Sequence, residues 1–231
     1  MKEDDEHDFP EGFHLKHNAV SNKTWEIIQH WLSTNELPIS SSMDDMKNLV
    51  HMPIKWETGP QMQGRKIAQF GSCRYDYTAD TAVLVEPSNT VDPIPAYIRA
   101  TLLASEDDEN DAYTQCIINV YDADNEIPWH LDHSYFGDKV LVYTFGEERP
   151  LLLRRPIPRI EENKTIAKIE YGPIGLHQPE EDCTFHTIRT YPRHGSKYIL
   201  EGSARNEWEH SVPSGKDTRV SITFRTWRGA T

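Results

Sequence analysis

The chain has 231 residues, with 24 Lys and Arg against 37 Asp and Glu and a formal charge of −13. That acidic balance excludes a histone-like or polybasic clamp on nucleic acid, because the surface repels polyanions unless a basic patch is set aside locally. Six Trp, ten Tyr and seven Phe supply core material that a disordered acidic chain lacks.

Residues 1–17 read as an acidic, disordered tail, with neither the basic start nor the apolar stretch of a secretion signal. From Ser21 the pattern turns helical: Ser21 and Asn22 can cap, and Trp25, Ile28 and Leu32 recur at helical spacing, ending near Ser33. Residues 35–63 read as loop with a short extended piece at Ile54 to Trp56. RKIAQFGSCRYDY, Arg65 to Tyr77, predicts two short strands around a turn or bulge at Gly71. Pro93 and Pro95 pre-set a second helix with Tyr97, Ile98 and Leu102 on one face. From Tyr113 strand signals dominate: TQCIINVY, KVLVYTFG, PLLLRR, a KIEYG piece, GSKYILEG and RVSITFRTW. Helices followed by strands predict an α+β protein whose C-terminal half is a sandwich or barrel. No run approaches the ~20 apolar residues of a membrane helix. Cys73, Cys116 and Cys183 are odd in number and far apart, which suits reduced thiols in the cytoplasm or nucleus.

The last strand carries an inverted pattern. In RVSITFR, Arg219, Ser221, Thr223 and Arg225 share one face, and Val220, Ile222 and Phe224 the other. On a half-exposed strand such arginines simply face water. CIINVY has the same inversion, however, with Asn119 and Tyr121 on one face and Ile118 and Val120 opposite. Two such strands predict a barrel whose interior is a ligand cavity, and the two arginines predict an anionic ligand such as a dicarboxylate.

The second signal is IPWHLDH. In extended chain His130 and Asp132 point the same way, a spacing that offers a metal ion an imidazole and a carboxylate; a turn-capping Asp is the plainer reading. A third ligand must come from elsewhere. His210 is the best candidate, His177, His186 and His194 are rivals, and His133 alternates away. Two His and one carboxylate leave three facial positions open, as in non-haem Fe(II) oxygenases.

With both motifs in this order, the sequence resembles the AlkB family of Fe(II)/2-oxoglutarate-dependent dioxygenases. The resemblance runs from Gly64 to Trp227: GRKIAQFG, YDYT, PIPAYI, NVY, HLD, the FG of LVYTFGEERPLLLRR, SARNEWEHSVP and RVSITFR. It implies a double-stranded β-helix (jelly roll) core over 113–231, with helices and substrate-recognition hairpins over 18–112 and the N-terminal helices packed on its outside. It implies iron held by His130, Asp132 and His210. It assigns Asn119, Tyr121, Arg219, Ser221 and Arg225 to 2-oxoglutarate, with Arg225 toward the chelating end and Arg219 with Tyr121 toward the distal carboxylate. Ser221 stands where repair members usually have Asn, and Ser134 where they often have an acid, and the stretch between Asp132 and His210 holds an insertion near 156–194 with three histidines, which reads as a surface excursion or a substrate lid.

The activity implied is oxidative removal of N-alkyl groups from DNA or RNA bases, with aldehyde, succinate and CO2 as products. Trp56, Arg65, Arg74, Tyr75, His133 and Ser134 are the substrate candidates: a flipped base stacks on aromatic planes while basic groups meet phosphate. Lys66, Phe70 and Tyr77 belong to the same stretch. The expected protein is monomeric, with a nucleic-acid substrate, no obligate protein partner and no membrane. The same chemistry on a protein side chain or metabolite suits the acidic surface better. A non-catalytic binding module or a zinc hydrolase is the third class, but neither uses a pair of arginines for a second bound acid.

Overall fold

A computed structural model describes residues 9–38, 51–59, 63–77, 83–85, 93–103, 113–157, 160–161, 164–165 and 184–229. In chain order the elements are β1 (Phe13–Lys16), α1 (Asn22–Thr34), β2 (Glu36–Pro38), β3 (His51–Pro53), β4 (Glu57–Thr58), β5 (Lys66–Gly71), β6 (Arg74–Asp76) and β7 (Val83–Val85). Then come α2 (Ala96–Ile98), continued by a π-helical turn (Arg99–Leu103), β8 (Gln115–Tyr121), β9 (Ile127–His130), β10 (Phe136–Gly146) and β11 (Leu151–Pro156). The chain ends with β12 (Ile160–Glu161), β13 (Lys164–Thr165), β14 (Phe185–Thr190), β15 (Ser196–Leu200), α3 (Gly202–Asn206), β16 (Glu209–Val212) and β17 (Arg219–Trp227).

Two antiparallel sheets carry the molecule. The larger runs β1-β15-β10-β17-β8-β5-β4 and the smaller β14-β11-β16-β9. Val140, Val142 and Leu200 of the larger sheet share one buried cluster with Leu151, Leu153, Ile188 and Val212 of the smaller, so the two sheets face each other. The other face of the larger sheet is equally apolar. Val220, Ile222 and Phe224 lie there with Ile28 and Trp31 of α1 and Leu102 and Leu103 of the π turn. Strand β17, between β10 and β8, is therefore buried on both faces, and its charged side is turned to the interior, not to water.

Ser21 caps α1 by accepting from the Thr24 amide at 3.2 Å, and Asn35 ends it at φ 59, donating its own amide to Trp31. Gly71 has φ 109, and a Cβ there would stand 1.9 Å from the Thr114 carbonyl oxygen, so the end of β5 admits only glycine.

Four expectations need correction. Phe13–Lys16, assigned to the tail of residues 1–17, pairs along its whole length with β15. The extended piece expected at Ile54 to Trp56 lies just upstream, where His51–Pro53 pairs with Glu36–Pro38. The second helix has three α-helical residues before the π turn. Residues 185–190, expected in a surface excursion or lid, form β14, paired residue by residue with β11. The KIEYG piece, His177 and Cys183 lie outside the described residues.

Candidate active site

Between the facing sheets lies a small pocket bounded by Asn119 and Tyr121 on β8, Val140 and Val142 on β10, Tyr198 on β15, Ile127 on β9, His210 and Val212 on β16, and Arg219, Ser221, Thr223 and Arg225 on β17, with Asp132. Alternation along β8 and β17 puts every second residue on this wall, and antiparallel register places Tyr121 opposite Arg219 and Asn119 opposite Ser221. The four inward residues of β17 are those expected from the sequence.

His130 and His210 come together by register. Strands β9 and β16 pair with these residues directly opposite, and the ring centroids are 4.2 Å apart. His130 Nδ1 is 2.8 Å from the Pro128 carbonyl oxygen, to which it donates as the Nδ1–H tautomer, leaving an Nε2 lone pair. Burial pushes both imidazoles below their ordinary pKa, His210 to about 3, even with the Asp132 carboxylate nearby. Both rings are therefore neutral at pH 7 and keep nitrogen lone pairs free.

Asp132 sits beyond the end of β9. Burial is the largest single influence and raises the pKa of its carboxyl, but the Arg225 guanidinium in contact with Oδ1, together with His210, Arg205 and His130, outweighs burial and holds it below the ordinary carboxylate range. Its Oδ2 is buried without a hydrogen-bond donor and stands 3.8 Å from His210 Nε2. Among the described residues no three His, Cys, Asp or Glu side chains already close around one metal position. The donor set nonetheless fits a divalent cation: an orphaned carboxylate oxygen beside two neutral imidazoles.

The far side of the pocket is cationic. Arg219 is 1% exposed, its Nε and one terminal nitrogen have no partner, and the other terminal nitrogen reaches only the Glu147 carbonyl oxygen at 3.5 Å. Burial lowers its pKa, with Tyr198 and Tyr121 the largest opposing influences. A buried guanidinium with empty donors is costly unless an anion completes it. Ser221 Oγ lies 3.4 Å from Asn119 Nδ2 and 3.5 Å from the Tyr121 hydroxyl. Arg225 reaches Gln115 Oε1 at 3.1 Å and lies over the Phe136 ring.

The substrate candidates divide. Arg65, expected to meet phosphate, is buried and donates through Nε to Asn119 Oδ1 at 3.0 Å, with one terminal nitrogen unpartnered. Tyr75 lies near the same centre: its ring is 6.0 Å from Phe136, and burial pushes its pKa above the ordinary phenol value, against Arg225. Ser134 is exposed, and His133 accepts the Tyr135 amide through Nδ1. Trp56 bonds Asn35, and Arg74 pairs with Glu57 at 3.7 Å; both partners lie outside the pocket. The rival histidines serve elsewhere: His194 accepts the Gly146 amide and His186 packs on Trp208. Sequence reasoning passed over Gln115, Tyr198 and Arg205. Arg205 lies inside the SARNEWEHSVP stretch, and the inward alternation of GSKYILEG held the signal for Tyr198.

Known proteins resemble the chain in sequence and in fold. The profile of the 2OG-Fe(II) oxygenase superfamily matches residues 12–225. The chain is 25% identical over 187 residues to human alpha-ketoglutarate-dependent dioxygenase alkB homolog 3, covering 76% of this chain and 57% of that protein. It is 27% identical over 180 residues to the Arabidopsis thaliana RNA demethylase ALKBH9B, covering 75% of this chain and 31% of that one. Against the Arabidopsis thaliana DNA oxidative demethylase ALKBH2 the figures are 27% over 123 residues, 49% and 37%. The chain thus spans about half the length, or less, of these curated relatives. In fold it is similar to the solved structure of OsALKBH1, with a TM-score of 0.51 at 13% identity, over 96% of this chain and 99% of that one.

Proposed function

The chain belongs to the 2OG-Fe(II) oxygenase superfamily, as an AlkB-like member whose family takes Fe(II) and 2-oxoglutarate, and from that premise we propose that it removes N-alkyl groups oxidatively from nucleic-acid bases. The observation that carries the reading is the polarity of the pocket: paired imidazoles and an orphaned carboxylate oxygen at one end, a bare buried guanidinium at the other. That is the charge pattern of a site for a dicarboxylate chelating a cation. Relatives named as RNA and DNA demethylases support the substrate class.

In this reading the facing sheets form a jelly roll with the N-terminal helices packed on its outside. His130, Asp132 and His210 hold Fe(II), His130 with its tautomer set by Pro128 and Asp132 through Oδ2. Arg219, with Tyr121 and Ser221, takes the distal carboxylate of 2-oxoglutarate, and Arg225 and Asn119 line the part nearer the metal. When bound, iron and 2-oxoglutarate supply the oxidation: dioxygen gives one atom to the N-alkyl carbon and one to succinate, CO2 leaves, and the hydroxylated alkyl group departs as aldehyde. The chain's own part is to orient these groups in a pocket walled by Val140, Val142 and Val212 that keeps water out. Arg65, fixed on Asn119, and Tyr75, beside Phe136, border the base entering that pocket.

The test is aldehyde release from oligonucleotides carrying 1-methyladenine or 3-methylcytosine, with Fe(II) and 2-oxoglutarate each omitted in turn. Release that needs both supports the reading; a folded, iron-loaded protein inert on methylated DNA and RNA removes the nucleic-acid substrate. The charge of −13 favours one second reading, the same oxidation on a protein side chain or small metabolite. It is selected if such a substrate alone stimulates succinate formation.

A further inference from the structure

Arg205 is buried at 4% exposure and lies in α3, the short helix that leads into β16 and His210. One of its terminal nitrogens donates to the Asp132 carbonyl oxygen at 3.1 Å and the other to the His133 carbonyl oxygen at 2.8 Å, across more than seventy residues of sequence. Its Nε has no partner. Burying a guanidinium costs free energy, and an apolar side chain would fill the same space at lower cost. Packing alone therefore does not account for a charge here.

What the fork does geometrically is specific. Strand β9 stops at His130, so Asp132 has no ladder hydrogen bonds to fix it and its carbonyl depends on Arg205, while the His133 carbonyl also accepts the Phe136 amide at 3.1 Å. Two parallel N–H groups from one rigid plane hold both carbonyls at once, and that plane is anchored five residues before His210. Asp132 is thereby tied to the segment that delivers His210, while His210 and His130 are tied by strand register.

We propose that Arg205 is a positioning residue for the metal site, setting the Asp132 carboxylate relative to the His130–His210 pair. This rests on the metal reading of Proposed function. Removing a hydrogen-bonding partner that orients metal ligands typically costs 10- to 100-fold in metal affinity.

The experiment uses the full chain and cobalt(II) as the probe, followed by its visible absorption without substrate. Arg205→Met should weaken cobalt(II) binding about 10- to 100-fold. Arg205→Lys, with one point charge that cannot span both carbonyls, should recover part of the loss. Ile28→Val, in α1 and away from the pocket, is the stability control and should leave the cobalt(II) spectrum and affinity unchanged. Both Arg205 variants are compared at a temperature well below their own Tm. Wild-type cobalt(II) affinity and spectrum in Arg205→Lys, or in a folded Arg205→Met, overturn the proposal while leaving the metal site intact. A wild-type protein that takes up no cobalt(II) overturns the metal reading itself, and the proposal with it.

Discussion

Two arginines on one strand, six residues apart, have opposite energetic situations. Arg219 is buried with empty donors, whereas Arg225 neutralises Asp132 and bonds Gln115. Arg219→Met should therefore leave Tm unchanged or raise it, while losing a charge-assisted contact of about 1.5–3 kcal/mol. The 2-oxoglutarate requirement should then rise about 10- to 150-fold. Arg225→Met should lower Tm as well, because it strands a buried carboxylate, a loss of about 3–5 kcal/mol. Thermal melts and 2-oxoglutarate titrations of both variants check this, and equal Tm losses would contradict it. The same reasoning applies to Asp132, whose carboxylate serves the fold through Arg225 as well as any metal. At Glu147, burial alone raises the carboxyl pKa, but the amides of Lys216 and Asp217 and the Arg149 guanidinium hold it below its ordinary value of 4.5. A depressed folded value means stabilisation that is fully present above pH 4.5 and fades as pH falls through the folded pKa. Glu147→Gln should flatten that acid limb in Tm measured against pH by lowering Tm at neutral pH, with little effect below the folded pKa.

Among elements, β17 organises the site. Its neighbours β8 and β10 set its register, and the end of β5 sets that of β8 through the contact of Gly71 with Thr114. Gly71→Ala should cost about 1–3 kcal/mol from its positive φ alone, before the clash. At about 2–4 °C of Tm per kcal/mol for a chain of this length, calorimetry resolves the loss. An unchanged Tm would mean that the β5 end can move away from Thr114. Alternation in RVSITFR and CIINVY was readable because period 2 survives even when both faces are buried. Strands β9, β14 and β16 were not readable: at four to six residues they are too short for a pattern to stand out, β9 contains a proline, and β14 and β16 are rich in His, Glu, Thr and Arg. Their strand character comes from pairing with β11 and with each other.

For the whole molecule, the pocket joins the two sheets, so its ligands should brace the fold. If the reading of the site holds, manganese(II) with 2-oxoglutarate at a hundred times their dissociation constants adds about 2.7 kcal/mol of stability for each independently bound ligand. Thermal shift with each ligand alone and both together measures it, and no shift with either would argue against a preformed site. No described helix is long and apolar enough to cross a membrane. Cys73 and Cys116 are free and buried, and burial raises both thiol pKa values, to about 11 for Cys73.

The sequence by itself determined the residue types and their order: an HxD, a later histidine, two arginines on one inverted strand, and the faces of β8 and β17. Those are local properties, written in spacing and alternation. Only the tertiary structure decided that His210 rather than His186 or His194 stands against His130, that Arg65 is buried on Asn119, and that Arg205 reaches Asp132. Each of these follows from which strand pairs with which and in what register, and that is settled by the packing of two whole sheets, which no short stretch of sequence encodes.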